Sequence, residues 1–238
     1  MNCPTKPIDH KRSDENQISD LATNFVPDEI GKSDVKKNDF AKKIIANTDA
    51  VILAGGQATR MGGCNKLLQC FDGQYRQLDR LRENLKPQVQ KLWVNSHRDS
   101  EIYQAIDAQL GIFSDLEKGF QGPMMGMHSA WLYSQRDWIL FVPCDLFYIP
   151  NQLLEQFAEQ IAKDQSQLCY AEIDGQALYP FCLMHRSVSE HLAQSLAQDQ
   201  RSLFRLFISL KFSVLKLTND SAQPHSINAW AELNMRIP

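Results

Sequence analysis

The stretch VILAGGQATRMGGCNK, residues 51–66, follows an apolar run with four glycines, one arginine and one lysine. A strand that enters a glycine loop and then a helix leaves backbone N–H groups unpaired at the sheet's C-terminal edge. Those groups, together with the helix dipole, attract anions. Gly55 and Gly56 let the backbone approach a ligand closely and take positive φ. Arg60 and Lys66 add two full positive charges, so the ligand that suits the set is a polyphosphate. Two familiar phosphate loops are excluded. Asn65 precedes Lys66 and Leu67 follows it, which breaks G-K-[ST]; Gly55 and Gly56 are adjacent, which breaks G-x-G-x-x-G. On chemistry alone, a nucleotide loop and an ordinary turn-rich connection both account for the composition.

Three more polar residues close strand candidates: Asn95 ends KLWVN, Asp115 ends GIFSD and Asp145 ends DWILFVPCD. Strand ends at a topological switch point are where ligands sit in open α/β sheets. A carboxylate there, opposite a phosphate loop, is placed to hold Mg²⁺, which takes one or two carboxylates and fills its remaining positions with phosphate oxygens and water. The plainer reading of Asp145 is a turn starter. Cys144 reads as a small buried residue rather than a nucleophile. His97, His128 and His185 are scattered without metal spacing and read as surface or core histidines.

The elements that must position these groups follow from periodicity. AVILA, KLWVNSH, GIFSD and DWILFVPCD read as strands, separated by helical QLDRLRENLKPQV, DSEIYQAID (with Asp99 as N-cap) and GMHSAWLYSQ. IPNQLLEQFAEQIAKD is an amphipathic helix opened by Pro150 and Asn151. LCYAEID and ALYPFCLMH flank Gly175 as an antiparallel pair, two short helices and the strand FSVLKL follow, and NAWAELN closes the chain as a helix. The alternation predicts an α/β fold: a mainly parallel sheet flanked by helices on both faces, with a small antiparallel C-terminal portion. Residues 1–46 are polar and aperiodic apart from a short helical stretch. They are expected to be a flexible extension, with one domain over 47–238.

Composition bounds the class. Of 238 residues, 43% are hydrophobic and 22% charged, which predicts a packed globule; the formal charge of −3 does not suit a nucleic-acid binder. The six cysteines form no C-x-x-C and no zinc spacing. With no apolar run of membrane length and no signal-peptide core, a cytoplasmic protein without membrane partners is expected.

In order along the chain, LAGGQATRMGGCNK, a strand ending in Asn95, GPMMG and PCDLFYIP together resemble the molybdenum cofactor guanylyltransferases, nucleotidyltransferases with a Rossmann-like fold. The likeness runs from about Asp49 to about Leu233. The resemblance implies that the chain transfers GMP from GTP to the molybdopterin cofactor, giving the guanine dinucleotide form and pyrophosphate. It implies that Leu53, Ala54 and Gly55 wrap the nucleotide, with Gly56 beside them in the binding set, that Asn95 and Asp115 contact it, that Lys66 binds its phosphates, and that Asp145 is the magnesium ligand. Lys66, Asp145 and Arg60 then carry catalysis by neutralising charge, with Mg²⁺ as cofactor and transient contact with other molybdenum cofactor proteins. The chain departs from the family in three places. Asn65 stands where Asp is common before the lysine, Tyr179-Pro180 stands for His-Pro, and Ser226 and Asn228 stand for two asparagines. A transferase using CTP or another phosphate acceptor, and a non-catalytic nucleotide- or cofactor-binding protein, are the alternatives.

Overall fold

A computed structural model describes residues 28–56, 64–71, 73–117, 119, 122–147 and 149–219, with side chains from residue 35 onward. The chain divides into two compact units, residues 1–35 and 36–238. Of the first, the described part is the opening of helix α1 (Asp28–Ala46). Within the second, the last turns of α1 bury Ala41 and Ile44 in the core, although this stretch reads in the sequence as part of a flexible extension.

The sheet has seven strands: β1 (Thr48–Leu53), β2 (Leu92–Asn95), β3 (Gly111–Phe113), β4 (Trp138–Pro143), β5 (Leu168–Ile173), β6 (Gln176–His185) and β7 (Phe212–Leu217). Their order is β3-β2-β1-β4-β6-β5-β7. Strands β3, β2, β1 and β4 are mutually parallel, β6 runs antiparallel to both β4 and β5, and β7 is parallel to β5. The expected mainly parallel sheet is therefore present. The antiparallel character at its C-terminal end comes from β6 alone.

Central strands read as unbroken apolar runs because both of their faces are covered. All six residues of β1 are buried, and β4 is buried from Trp138 to Val142. Side chains alternate between two core layers. Ala50, Ile52, Leu140 and Val142 face α1, α2 (Gln77–Leu85), α3 (Ser100–Ile106) and α5 (Leu153–Asp164). Val51, Leu53, Ile139 and Phe141 face α4 (Pro123–Ala130), α6 (Ser189–Ala197) and α7 (Leu203–Ile208).

The β5–β6 hairpin turns on Asp174 (φ 51°) and Gly175 (φ 81°), the two positive-φ positions a tight two-residue hairpin requires. Further along, Tyr170 pairs with Cys182 while Ala171 pairs with Leu178, so residues 179–181 bulge out of register. Pro180 has no N–H to give to a ladder and is accommodated in that bulge. The chain leaves β1 toward β2 and β3 on one side and returns to β4 on the other. The C-terminal ends of β1 and β4 thus flank the topological switch point. Among the described residues no helix is long and apolar enough to cross a membrane.

Candidate functional site

Hydrogen bonding carries the parallel ladder one step beyond the strand ends. Ala54 N–H donates to Asn95 O (2.9 Å), Cys144 N–H to Leu53 O (3.2 Å), and Ser96 N–H to Phe113 O (2.9 Å). Leu53, Ala54, Asn95, Asp115 and Asp145 are therefore gathered on one edge. Since β1 lies between β2 and β4, Asn95 and Asp145 flank its end from opposite sides.

On the β4 side, Lys66 Nζ lies 3.1 Å from Asp145 Oδ2, with side chains 15% and 25% exposed, so both are reachable from solvent. Lys66 opens a single 3₁₀ turn, Lys66–Leu68, capped by Asn65, whose Oδ1 accepts from Leu67 N–H at 3.1 Å. The turn that carries Asp145 is held from beneath by Gln77, the first residue of α2. Gln77 Nε2 donates to Cys144 O (3.2 Å) and Leu146 O (2.6 Å). Gln77 is buried, and meeting two backbone acceptors removes the penalty of burying its amide. Burial, with the Asp145 charge second, pushes the Cys144 thiol up to about 12. It is a packed thiol and not a nucleophile, as the sequence suggests.

On the β2 side, Asn95 Nδ2 donates to Asp115 Oδ1 at 2.8 Å, and His97 Nε2 lies 3.0 Å from Asp115 Oδ2. Asn95 is almost fully buried between two glycines. A Cβ at Gly55 would meet Asn95 Oδ1 at 3.1 Å, and one at Gly126 would meet it at 2.5 Å. Gly126 therefore lets α4 close onto the strand end. Gly122, at φ 78°, takes the left-handed turn that starts α4 at Pro123. Gly56 is exposed, with open space around it.

Of the residues singled out in the sequence, the structure brings together Leu53, Ala54, Gly55, Gly56, Lys66, Asn95, Asp115 and Asp145. Arg60 lies outside the described residues, as do Ser226, Asn228 and the NAWAELN segment. Sequence reasoning misses the parts played by His97 and Gln77. His97 stands two residues past a strand-end asparagine, which is a usable signal. Gln77 is indistinguishable in the sequence from any polar residue that opens a helix. His128 and His185 fit the plain core reading, since burial lowers the pKa of each. Tyr179 packs its ring with Tyr170, Phe204 and Phe207 at 5.0, 5.7 and 6.0 Å between centroids.

Among the described residues no group of three or more His, Cys, Asp or Glu side chains is arranged to hold a metal. A single strand-end carboxylate such as Asp145 suits only a cation that draws its other ligands from phosphate oxygens and water.

Residues 50–213 match the model of the MobA-like NTP transferase domain. Molybdenum cofactor guanylyltransferase of Acinetobacter baumannii is 47% identical over 187 residues, covering 78% of this chain and 89% of that one. The enzyme of the same name from Pasteurella multocida is 39% identical, covering 65% and 80%. Among solved structures, molybdopterin-guanine dinucleotide biosynthesis protein A from Archaeoglobus fulgidus shares the fold at a TM-score of 0.60 and 18% identity, covering 79% of this chain and 95% of that one. A match over most of the chain, at close to half identity with named enzymes, establishes that the chain belongs to the molybdenum cofactor guanylyltransferases of the MobA-like nucleotidyltransferase family.

Proposed function

We propose that this nucleotidyltransferase transfers GMP from GTP to the molybdopterin form of the molybdenum cofactor, releasing pyrophosphate. The observation that carries the reading is the Lys66–Asp145 pair at the switch-point edge, across the end of β1 from Asn95 and Asp115. The Ala54–Gly56 backbone follows the phosphates closely, and Asn95 and Asp115 take the nucleoside end. Lys66, with Arg60, neutralises phosphate charge. A terminal phosphate oxygen of the pterin attacks the α-phosphorus of GTP in line, the bond from that phosphorus to the bridging oxygen breaks, and pyrophosphate leaves. Both reactants are anions, so the protein's work is charge neutralisation and alignment. No covalent intermediate on a side chain is needed. Mg²⁺ held by Asp145 supplies further charge stabilisation when bound.

Titration of GTP, CTP and ATP by calorimetry, with and without Mg²⁺, tests the nucleotide half. GTP is expected to bind in preference to the other two and more tightly with Mg²⁺; preference for CTP overturns the guanine assignment. Pyrophosphate release on adding molybdopterin tests the transfer half, and binding without release makes the protein a carrier. Asp145→Ala is expected to abolish magnesium-dependent turnover. Near-normal turnover of that variant removes Asp145 from the metal site.

A further inference from the structure

Asn65 occupies the position before the phosphate-loop lysine, and its side-chain amide, side-chain carbonyl and main-chain carbonyl are all engaged. Its Nδ2 donates to Asp99 Oδ2 at 2.5 Å and to Tyr103 OH at 2.7 Å. Its Oδ1 caps Leu67 N–H, and its carbonyl accepts from Leu68 N–H (3.1 Å) and Gln69 Nε2 (3.3 Å). The partners belong to the corner between β2 and α3 (Asp99) and to α3 itself (Tyr103). Asp99 stands at the N-cap of α3 with φ 60°, yet its side chain makes no capping bond to the helix and turns to Asn65 instead. Tyr103 is fully buried in the core, which fixes its hydroxyl. From the same corner Arg98 donates to Cys64 O at 3.3 Å, and its Nε lies 4.0 Å from Asp99.

We propose that Asp99 and Tyr103 are positioning residues for Lys66, acting through Asn65. Two amide hydrogens meet two fixed acceptors, so the Asn65 side chain has one orientation. That orientation aims Oδ1 at Leu67 N–H, sets the 3₁₀ turn, and turns Lys66 toward Asp145. The same geometry makes residue 65 depend on residue 99. A donor at 65 meets the Asp99 carboxylate, whereas an aspartate at 65 would put two carboxylates in hydrogen-bond contact. Asn65 is thus matched to Asp99, and its neutrality follows from that partner.

The inference rests on the nucleotidyltransferase reading only for the task of Lys66, and its test has a readout that needs no nucleotide. Asn65→Asp, Asp99→Asn and the double variant form a cycle. Repulsion between carboxylates at this separation is expected to weaken GTP binding by about 10- to 100-fold in Asn65→Asp. Asp99→Asn, which exchanges a charged acceptor for a neutral one, is expected to cost a few-fold. The double variant restores a donor–acceptor pair in reverse and is expected to recover to within about tenfold of wild type. Hydrogen exchange of the Leu67 amide, measured without nucleotide, is expected to speed up by about tenfold or more in Asn65→Asp and to slow again in the double variant. A protein that binds no GTP but shows this exchange pattern overturns the proposed function and leaves the positioning network standing. Unchanged Leu67 exchange in Asn65→Asp, or a double variant no better than Asn65→Asp on either readout, overturns the inference. Thermal melting of all three variants identifies any that fail to fold; in the double variant the amide at position 99 donates to the carboxylate at position 65, and the Tyr103 hydroxyl, which accepts from Asn65 in the wild type, turns to donate to it.

Discussion

Gly126→Ala sets two effects against each other, and the structure decides between them. Gly126 lies inside α4, and replacing a helix-interior glycine with alanine ordinarily stabilises by about 1 kcal/mol. Here the new Cβ would sit 2.5 Å from Asn95 Oδ1, 3.2 Å from Asn95 Cγ and 3.3 Å from Leu53 Cδ2. The first distance is about 1 Å inside ordinary van der Waals contact. Asn95 cannot swing clear cheaply. Its amide is bonded to Asp115, its oxygen is already close against Gly55, and it is almost fully buried. Relief requires either breaking the charge-assisted bond to Asp115, at about 1.5 to 3 kcal/mol, or moving α4 off the sheet, at about 1 to 3 kcal/mol. Net of the helix gain, destabilisation of up to about 2 kcal/mol is expected, which lowers the melting temperature of a chain this size by up to about 8 °C. Under the proposed function GTP affinity should also fall by about tenfold, since Asn95 is displaced by more than a bonding tolerance. Thermal melting and GTP calorimetry read the two effects separately. A variant that melts above wild type would refute the close-approach reasoning.

Three further outcomes are expected. Lys66→Ala removes one charge-assisted contact to phosphate and should weaken GTP binding by about 10- to 100-fold, measured by calorimetry, with little loss of thermal stability because the Lys66–Asp145 pair is partly exposed. Iodoacetamide at pH 8, followed by peptide mass spectrometry, should label exposed Cys70 and leave Cys144, Cys169 and Cys182 untouched. Burial raises all three of those thiols, the first two to about 12. Asp49→Ala should cost about 2 to 4 kcal/mol in a denaturant melt and leave GTP affinity unchanged. Buried Asp49 accepts from Trp93 Nε1 (3.1 Å) and Ser134 Oγ (2.8 Å) at the opposite end of β1, and those donors would lose their acceptor.

Much of the scaffold is legible from local signals. The apolar runs at β1 and β4 exceed what a surface strand would carry, and Asp174-Gly175 sets the hairpin. The parallel pairing of β7 with β5 was not legible, because a short alternating strand says nothing about the direction of its neighbour. Burial of Ala41 and Ile44 was hidden by the many charges on α1, which mask two apolar residues one turn apart. At the site, the strand-end residues Asn95, Asp115 and Asp145 could be found because topology puts strand ends together. The supports could not. Asn65 meets partners 34 and 38 residues away, and Gln77 meets Leu146 at 69. Neither polar residue differs in type from those that simply face water.

The Lys66–Asp145 pair shows why such supports matter to the proposed chemistry. If Asp145 turns to a metal while Lys66 turns to phosphate, as the proposed function has it, the pair must part. Were the pair deeply buried, separating it would leave uncompensated charge at a cost of about 3 to 5 kcal/mol. At 15% and 25% exposure water reaches both groups, so the pair lies between the surface case, about 0 to 1 kcal/mol, and the buried one. One charge-assisted bond from Lys66 to a phosphate oxygen, at about 1.5 to 3 kcal/mol, is enough to exchange partners. The pair therefore holds the lysine in place without trapping it. What must not yield is the main chain on either side. Asn65 fixes it before Lys66 through Asp99 and Tyr103, and Gln77 fixes it around Asp145 through two carbonyls. The two charged side chains can change partners while the backbones that aim them stay put.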